Sequence, residues 1–293
     1  MKQDAFSSCH PAVNFTYFLG AMGFSMIFQH PAYVIAAVLC SSICCLSICG
    51  FVAGRKTIFG MIPLWIILSL INPLFNTLGE TVLFSCFGRP YTLEALYYGM
   101  SIAGIFVSAL LWFSGYNRII TGDKLFCLFG NLAPALTLLL VMIFRLVPAL
   151  LQKIHQIAGA RKAIGKGANE QSPLKMRIAD GMIILSTLTS WALEGSVVTA
   201  DSMRSRGYGS AKRSSFQIYR MTGRDRILLV ILIFFCGLII MAASTGQTDA
   251  AFIPALDIAP ISWGLPVYIC YLLIPAILNL KEELICHNLI SKI

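Results

Sequence analysis

The sequence predicts an all-α integral membrane protein with about six transmembrane helices and two further long amphipathic helices between them. Three observations carry this. Hydrophobic residues make up 57% of the 293 positions and charged residues 12%, with a mean hydropathy of +0.78; a soluble chain averages about 25% charged. The apolar residues fall into stretches of roughly 20, the length that crosses a bilayer. The charge is segregated: the net charge is +9, and between Arg145 and Arg226 stand 14 Lys or Arg against five acids. The whole excess lies in that one segment.

In chain order, the first 15 residues, MKQDAFSSCHPAVNF, are too polar for a cleavable leader. Spans are expected over about 12–29, 32–53, 57–73 and 95–113, then over 226–245 and 262–280. Two more apolar stretches, 125–144 and 178–200, are ambiguous. If both crossed, residues 145–177 would lie outside with seven basic residues and one acid, Glu170. That breaks the rule that basic segments stay in the cytoplasm. Six spans with a cytoplasmic N-terminus remove the conflict. Arg55, Lys56, Arg118 and the basic segment then fall inside, and loops 74–94 and 246–261, both net negative, fall outside. The ambiguous stretches become helices lying in or under the membrane.

These two helices carry their own signals. Leu150, Ile154, Ile157, Arg161 and Ile164 step by four, three, four and three, which is one helical stripe. GKGANEQSP (165–173) reads as a turn or short linker. The next helix is expected from Leu174 to about Arg204, ended by Gly207 and Gly209. Each helix finishes in a small basic patch, GARKAIG at 159–165 and SMRSRGYG at 202–209. The resulting division is a membrane domain over 1–118, a surface domain over 119–225 and a second membrane domain over 226–293.

No catalytic pattern is present. GARKAIGKG has the wrong glycine spacing for a phosphate loop and Gly167 where a Ser or Thr is needed. Four histidines, His10, His30, His155 and His287, lack metal-ligand spacing, and His155 reads as a solvated face residue and His10 as part of a mobile terminus. Cys40, Cys44, Cys45 and Cys49 sit within one apolar stretch and read as small packing residues. The spans hold essentially no acid, which weighs against a transporter driven by its own buried charges.

ADSMRSRGYG (200–209) resembles the A-D-[AS]-M-x-x-R-G-Y-G signature of the transmembrane T component of energy-coupling factor transporters. INPLFNTLGETVLF (71–84), GRPYTLEALYYGM (88–100) and TGDKLFCLFGNLAPALTLLLVMIFRLVPALLQKI (121–154) resemble the same family in the same order. The resemblance spans roughly residues 12–225, and 262–280 reads as an added helix. It implies a non-catalytic coupling subunit of a bacterial or archaeal plasma-membrane importer of a vitamin or a transition-metal ion. Two ATP-binding-cassette ATPase subunits would bind and hydrolyse ATP, no cofactor being bound by this chain itself. A small membrane S component would capture the substrate; nucleic acid has no part.

The family's coupling helices end in X-Arg-X triplets that seat on the ATPases. The matching triplets are Ala160-Arg161-Lys162 and Ser205-Arg206-Gly207, supported by Asp201, Arg204 and Tyr208. Asp201 is expected to hold the helix end or to pair with Arg204 or Arg206. Family members often have Arg-Gly where this chain has Arg161-Lys162, which leaves Lys162 as the neighbouring alternative. Leu185, Leu188 and Trp191 are expected to press on the S component, and Gly104, Ser108 and Ala109 to let helices approach closely. The contrasting reading is a self-contained channel or secondary transporter whose basic segment binds lipid.

Overall fold

The computed structural model describes residues 6–76, 81–86, 89–130, 134–167, 173–210, 219–248, 250–251, 257–258, 260 and 262–290. Among these the chain forms nine helices and two short antiparallel hairpins. They fall into two compact units, Met1–Leu125 with Tyr219–Ile293, and Phe126–Ile218.

The first unit holds α1 (Pro11–Ile27), α2 (Pro31–Cys49), α3 (Phe51–Phe75), α4 (Leu93–Ile119), α8 (Gly223–Ser244) and α9 (Gly264–Ile290). These are the six expected spans. The second holds α6 (Pro134–Ala163), which runs from within the ambiguous 125–144 stretch through the expected 150–164 stripe, and α7 (Leu174–Ser205), which contains the 178–200 stretch; the short α5 (Gly122–Phe129) runs across the boundary. Seven helices, α2–α4 and α6–α9, are long and apolar enough to cross a membrane. The protein is therefore an all-α, multi-pass membrane protein in composition and form. The seventeen residues of α1 reach about 26 Å at 1.5 Å each, a little short of a roughly 30 Å hydrocarbon core.

α1 and α2 start alike. His10-Pro11-Ala12 and His30-Pro31-Ala32 each place a histidine at the N-cap and a proline in the first turn. In both, the histidine Nδ1 accepts the N–H of the alanine two residues on, at 3.2 Å. His10 is thus a fixed cap rather than part of a mobile end, and its own N–H donates to Asp225 Oδ1 at 3.3 Å. α2 stops at Cys49 because Gly50 takes φ 82°, a left-handed value that favours glycine. α3 begins at the next residue, earlier than the sequence pattern suggests. Across this corner, a Cβ on Gly54 would stand 3.0 Å from Leu46 Cα, so a larger residue would require the neighbouring turn to give by a few tenths of an ångström.

The core is aromatic. Phe6, Tyr17, Phe18, Phe28, Tyr33, Trp112, Tyr268 and Tyr271 are buried together, mostly in edge-to-face pairs with ring centroids 5.3–6.2 Å apart. Two polar tips are tied internally, Tyr17 Oη donating to Leu272 O at 2.7 Å and Tyr271 Oη to Tyr17 O at 3.1 Å, whereas Tyr33 Oη and Trp112 Nε1 are buried without a hydrogen-bond partner among the described residues. α9, expected as an addition, supplies Tyr268, Tyr271 and Leu272 to this core and is integral to it. Cys40 and Cys44 pack in the same cluster. Gly104 and Ser108 are buried on α4, where a Cβ on Gly104 would come within 2.6 Å of Val34 Cγ1; Ala109 is half-buried beside them.

The expected outer loops contain the hairpins, β1 (Val82–Cys86) with β2 (Arg89–Thr92), and β3 (Ala250–Ala251) with β4 (Asp257–Ile258). Glu94, in the first turn of α4, accepts the Thr81 hydroxyl at 2.6 Å and so ties the first hairpin's entry to the helix start.

Candidate functional site

The second unit is an antiparallel helical pair. Ile154, Ile157, Ala158 and Arg161 form the half-buried stripe of α6, continuing from Leu150. Asp180, Ile184, Leu188, Trp191 and Ala192 form the half-buried stripe of α7. Three contacts set the direction. Leu150 shares a groove of about 260 Å³ with Leu188, Ala192 and Leu193, Lys153 Nζ lies 5.5 Å from the centre of the Trp191 ring, and Arg161 Nε donates to Asp180 Oδ1. As α6 advances, its partners on α7 recede.

Leu188 and Trp191 therefore face α6 and are half-buried against it, whereas the sequence expectation had them press on another protein. Leu185 is exposed, as are Ile178 and Met182, away from the half-buried stripe. Polar side chains on α7 are also turned inward. Thr187, Thr189, Ser190, Ser196 and Thr199 each donate to a carbonyl three or four residues earlier in the same helix.

Both helix ends close in the same way. At the end of α6, Lys166 N–H donates to Arg161 O and Gly165 N–H to Lys162 O, each at 3.0 Å, with Gly165 at φ 73°. At the end of α7, Tyr208 N–H donates to Met203 O at 3.0 Å and Gly207 N–H to Arg204 O at 2.9 Å, with Gly207 at φ 76°. This is the paired bonding of a Schellman cap, which needs a residue that tolerates left-handed backbone.

Registering the two caps on each other pairs Gly165 with Gly207, Lys166 with Tyr208, Lys162 with Arg204 and Arg161 with Met203. Arg161 and Arg206, read as counterparts in the sequence, are not equivalent in this register. Arg161 is held: besides Asp180, its Nη2 donates to Lys166 O at 3.3 Å, and its side chain is 18% exposed. Ala160 and Lys162 beside it are exposed. At the other tip Arg204, Ser205, Arg206, Gly207 and Tyr208 are all exposed, and Ser205 Oγ is spent on Ser202 O at 2.9 Å. Asp201 is exposed, and among the described residues it makes no ion pair with Arg204 or Arg206. Asp180 went unnoticed in the sequence; its signal is an acid on the α7 stripe within an otherwise basic segment.

The tips lie at opposite ends of the pair. From Asp180, beside the α6 tip, to Arg206 is about 40 Å along α7 at 1.5 Å per residue. Each tip offers cations on a rigid, capped helix end, where positive side chains also complement the helix dipole. No protein-family model matches the chain, and no curated protein matches it in sequence.

Proposed function

We propose that this chain is the membrane coupling subunit, the T component, of an ATP-driven importer of the energy-coupling factor type. The observation that carries the reading is the pair of exposed basic helix tips, closed by the same glycine cap and held about 40 Å apart by one rigid helical pair. Two separate, similar tips suit two ATP-binding-cassette subunits, one on each. The guanidinium forks of Arg204 and Arg206 suit carboxylates and helix-end carbonyls in a groove, and an arginine seated in such a groove is a common interface anchor. The resemblance of ADSMRSRGYG to the family signature points the same way.

In this mechanism the ATPases bind and hydrolyse the nucleotide, and their closure carries the two tips with it. The helical pair transmits that motion to a small membrane S component that holds a vitamin or a transition-metal ion. The exposed apolar side chains of Ile178, Met182 and Leu185 are the surface of α7 left for that contact. This chain performs no bond chemistry itself.

The test is affinity purification of the tagged chain from its native membranes beside Lys162→Glu and Arg204→Glu/Arg206→Glu variants. Two nucleotide-binding subunits should copurify with the wild type and be lost when both tips are reversed. Absence of any ATPase from the wild-type preparation, or retention after reversal of both tips, refutes the reading.

A further inference from the structure

We infer that the corner between α2 and α3 is a binding site for one anionic glycerophospholipid, with Arg55 and Lys56 holding its phosphate and the outer face of α3 carrying an acyl chain. The inference stands apart from the coupling reading and uses none of its residues.

α3 has two distinct faces. Gly54, Ile58, Met61, Trp65, Ser69 and Pro73 recur at helical spacing and are buried or half-buried, with Ile58, Met61 and Trp65 packed against Cys45, Val107 and Leu111. The other face repeats with the same period. Phe51, Arg55, Phe59, Ile62, Ile66 and Leu70 step by four, four, three, four and four, and all are exposed. Phe51 is 71% and Phe59 60% exposed, and Val52 beside them 83%. Such side chains at the end of a membrane helix require an apolar cover.

The head of this face is a groove of about 380 Å³ lined by Phe51, Val52, Arg55, Lys56 and Phe59. Two cations line it, and among the described residues no carboxylate does. Arg55 has its guanidinium carbon 5.5 Å from the centre of the Phe59 ring. A guanidinium over an aromatic ring can still offer N–H donors outward, and its fork can meet a phosphate with two parallel hydrogen bonds. Lys56 adds a point charge beside it.

Dimensions fit a lipid better than a soluble anion. From Phe59 to Leu70 the apolar stripe rises about 16 Å, close to the depth of one leaflet of a roughly 30 Å hydrocarbon core. A phosphate at Arg55 thus places the chain of the same molecule along Phe59, Ile62 and Ile66. A free phosphate would fill the cationic end and leave Phe51, Val52 and Phe59 bare.

The experiment is native mass spectrometry of the full chain, delipidated in detergent and offered equal phosphatidylglycerol and phosphatidylcholine. One phosphatidylglycerol should be retained per chain in preference to phosphatidylcholine. Arg55→Gln/Lys56→Gln should lower its occupancy about thirty-fold, from two cations beside an anionic headgroup. Phe59→Ala should weaken it with both charges intact, and Arg55→Lys should restore it in part. Lys175→Gln/Arg177→Gln, which changes cations on α7, should leave it unchanged. Glycerol phosphate should not displace the lipid. Equal retention of both lipids, or wild-type retention in the double variant, overturns the proposal. Displacement by glycerol phosphate makes it a soluble-anion site, and cross-linking from position 59 to a small membrane protein in native membranes makes it a protein contact; either result also overturns it.

Discussion

Removing the charge of Asp180 separates two roles for Arg161. The two side chains are 18% and 14% exposed, between an open surface pair and a closed one. Exposed pairs contribute about 0.2–1 kcal/mol, whereas breaking a buried pair costs about 3–5 kcal/mol. At this burial, Asp180→Asn should cost about 2 kcal/mol, an approximately thirty-fold change in an opening equilibrium. The loss should be local, because Arg161 also donates to Lys166 O in the α6 cap. Hydrogen exchange reads it directly. The Gly165 and Lys166 amides, which donate to Lys162 O and Arg161 O, should exchange about thirty-fold faster. Arg161→Gln should do the same, and the double variant should cost little more than either alone, a coupling above about 1 kcal/mol. Additive effects in this cycle would refute the pair as the element holding the tip. The same variants divide positioning from docking. If Arg161 only holds the tip, Asp180→Asn weakens ATPase copurification as much as Arg161→Gln does. If Arg161 itself enters the ATPase, freeing it with Asp180→Asn leaves copurification at least as strong.

Other outcomes follow from the caps, the core and the buried amine. Gly207→Val places a β-branched residue at φ 76° and should cost more than about 1 kcal/mol, seen as faster proteolysis after Arg206 with the membrane unit unaffected. Gly104→Ala brings a methyl within 2.6 Å of Val34 Cγ1 and should destabilise by about 1–3 kcal/mol in detergent melting, with Val34→Ala restoring most of it. Lys124 is buried on α5, with Nζ donating to Ser7 O at 2.6 Å, and burial pushes its pKa down. The folded state therefore binds fewer protons than the unfolded one at this group. Its contribution to stability is fully present above the ordinary lysine range and lost as pH falls through the lowered value. The wild type should gain on Lys124→Met as pH rises from 9 toward about 10.5, in paired melting curves; a constant difference refutes this.

Much of the fold is legible as hydropathy. All six expected spans form helices, as do 134–144 and 178–200 of the two ambiguous stretches, since roughly 20 apolar residues in lipid have few other ways to satisfy their backbone. The helix-ending glycines were equally readable, because a left-handed cap position favours one residue type strongly. Other features depended on partners far along the chain. α9 looked accessory because nothing local says that Tyr268 and Tyr271 reach Tyr17 and Ser25. The His-Pro caps passed as isolated histidines, although the repeated His-Pro-Ala was on view. At the candidate site, the basic patches were visible as composition, but their alignment was not. Sequence register set Arg161 against Arg206, while the backbone bonding sets Lys162 against Arg204. Asp180 was hidden for the same reason: its importance comes from the neighbouring helix.

The inward-turned hydroxyls of α7 have a mechanical consequence. Thr187, Thr189, Ser190, Ser196 and Thr199 each spend their hydrogen on their own helix. Along its outer face the helix is then a smooth shaft, without detents that would lock a neighbour at one axial setting. Between its charged ends, apart from Glu194, the exposed apolar side chains Met182, Ile183, Leu185 and Leu193 offer contact that tolerates small slips.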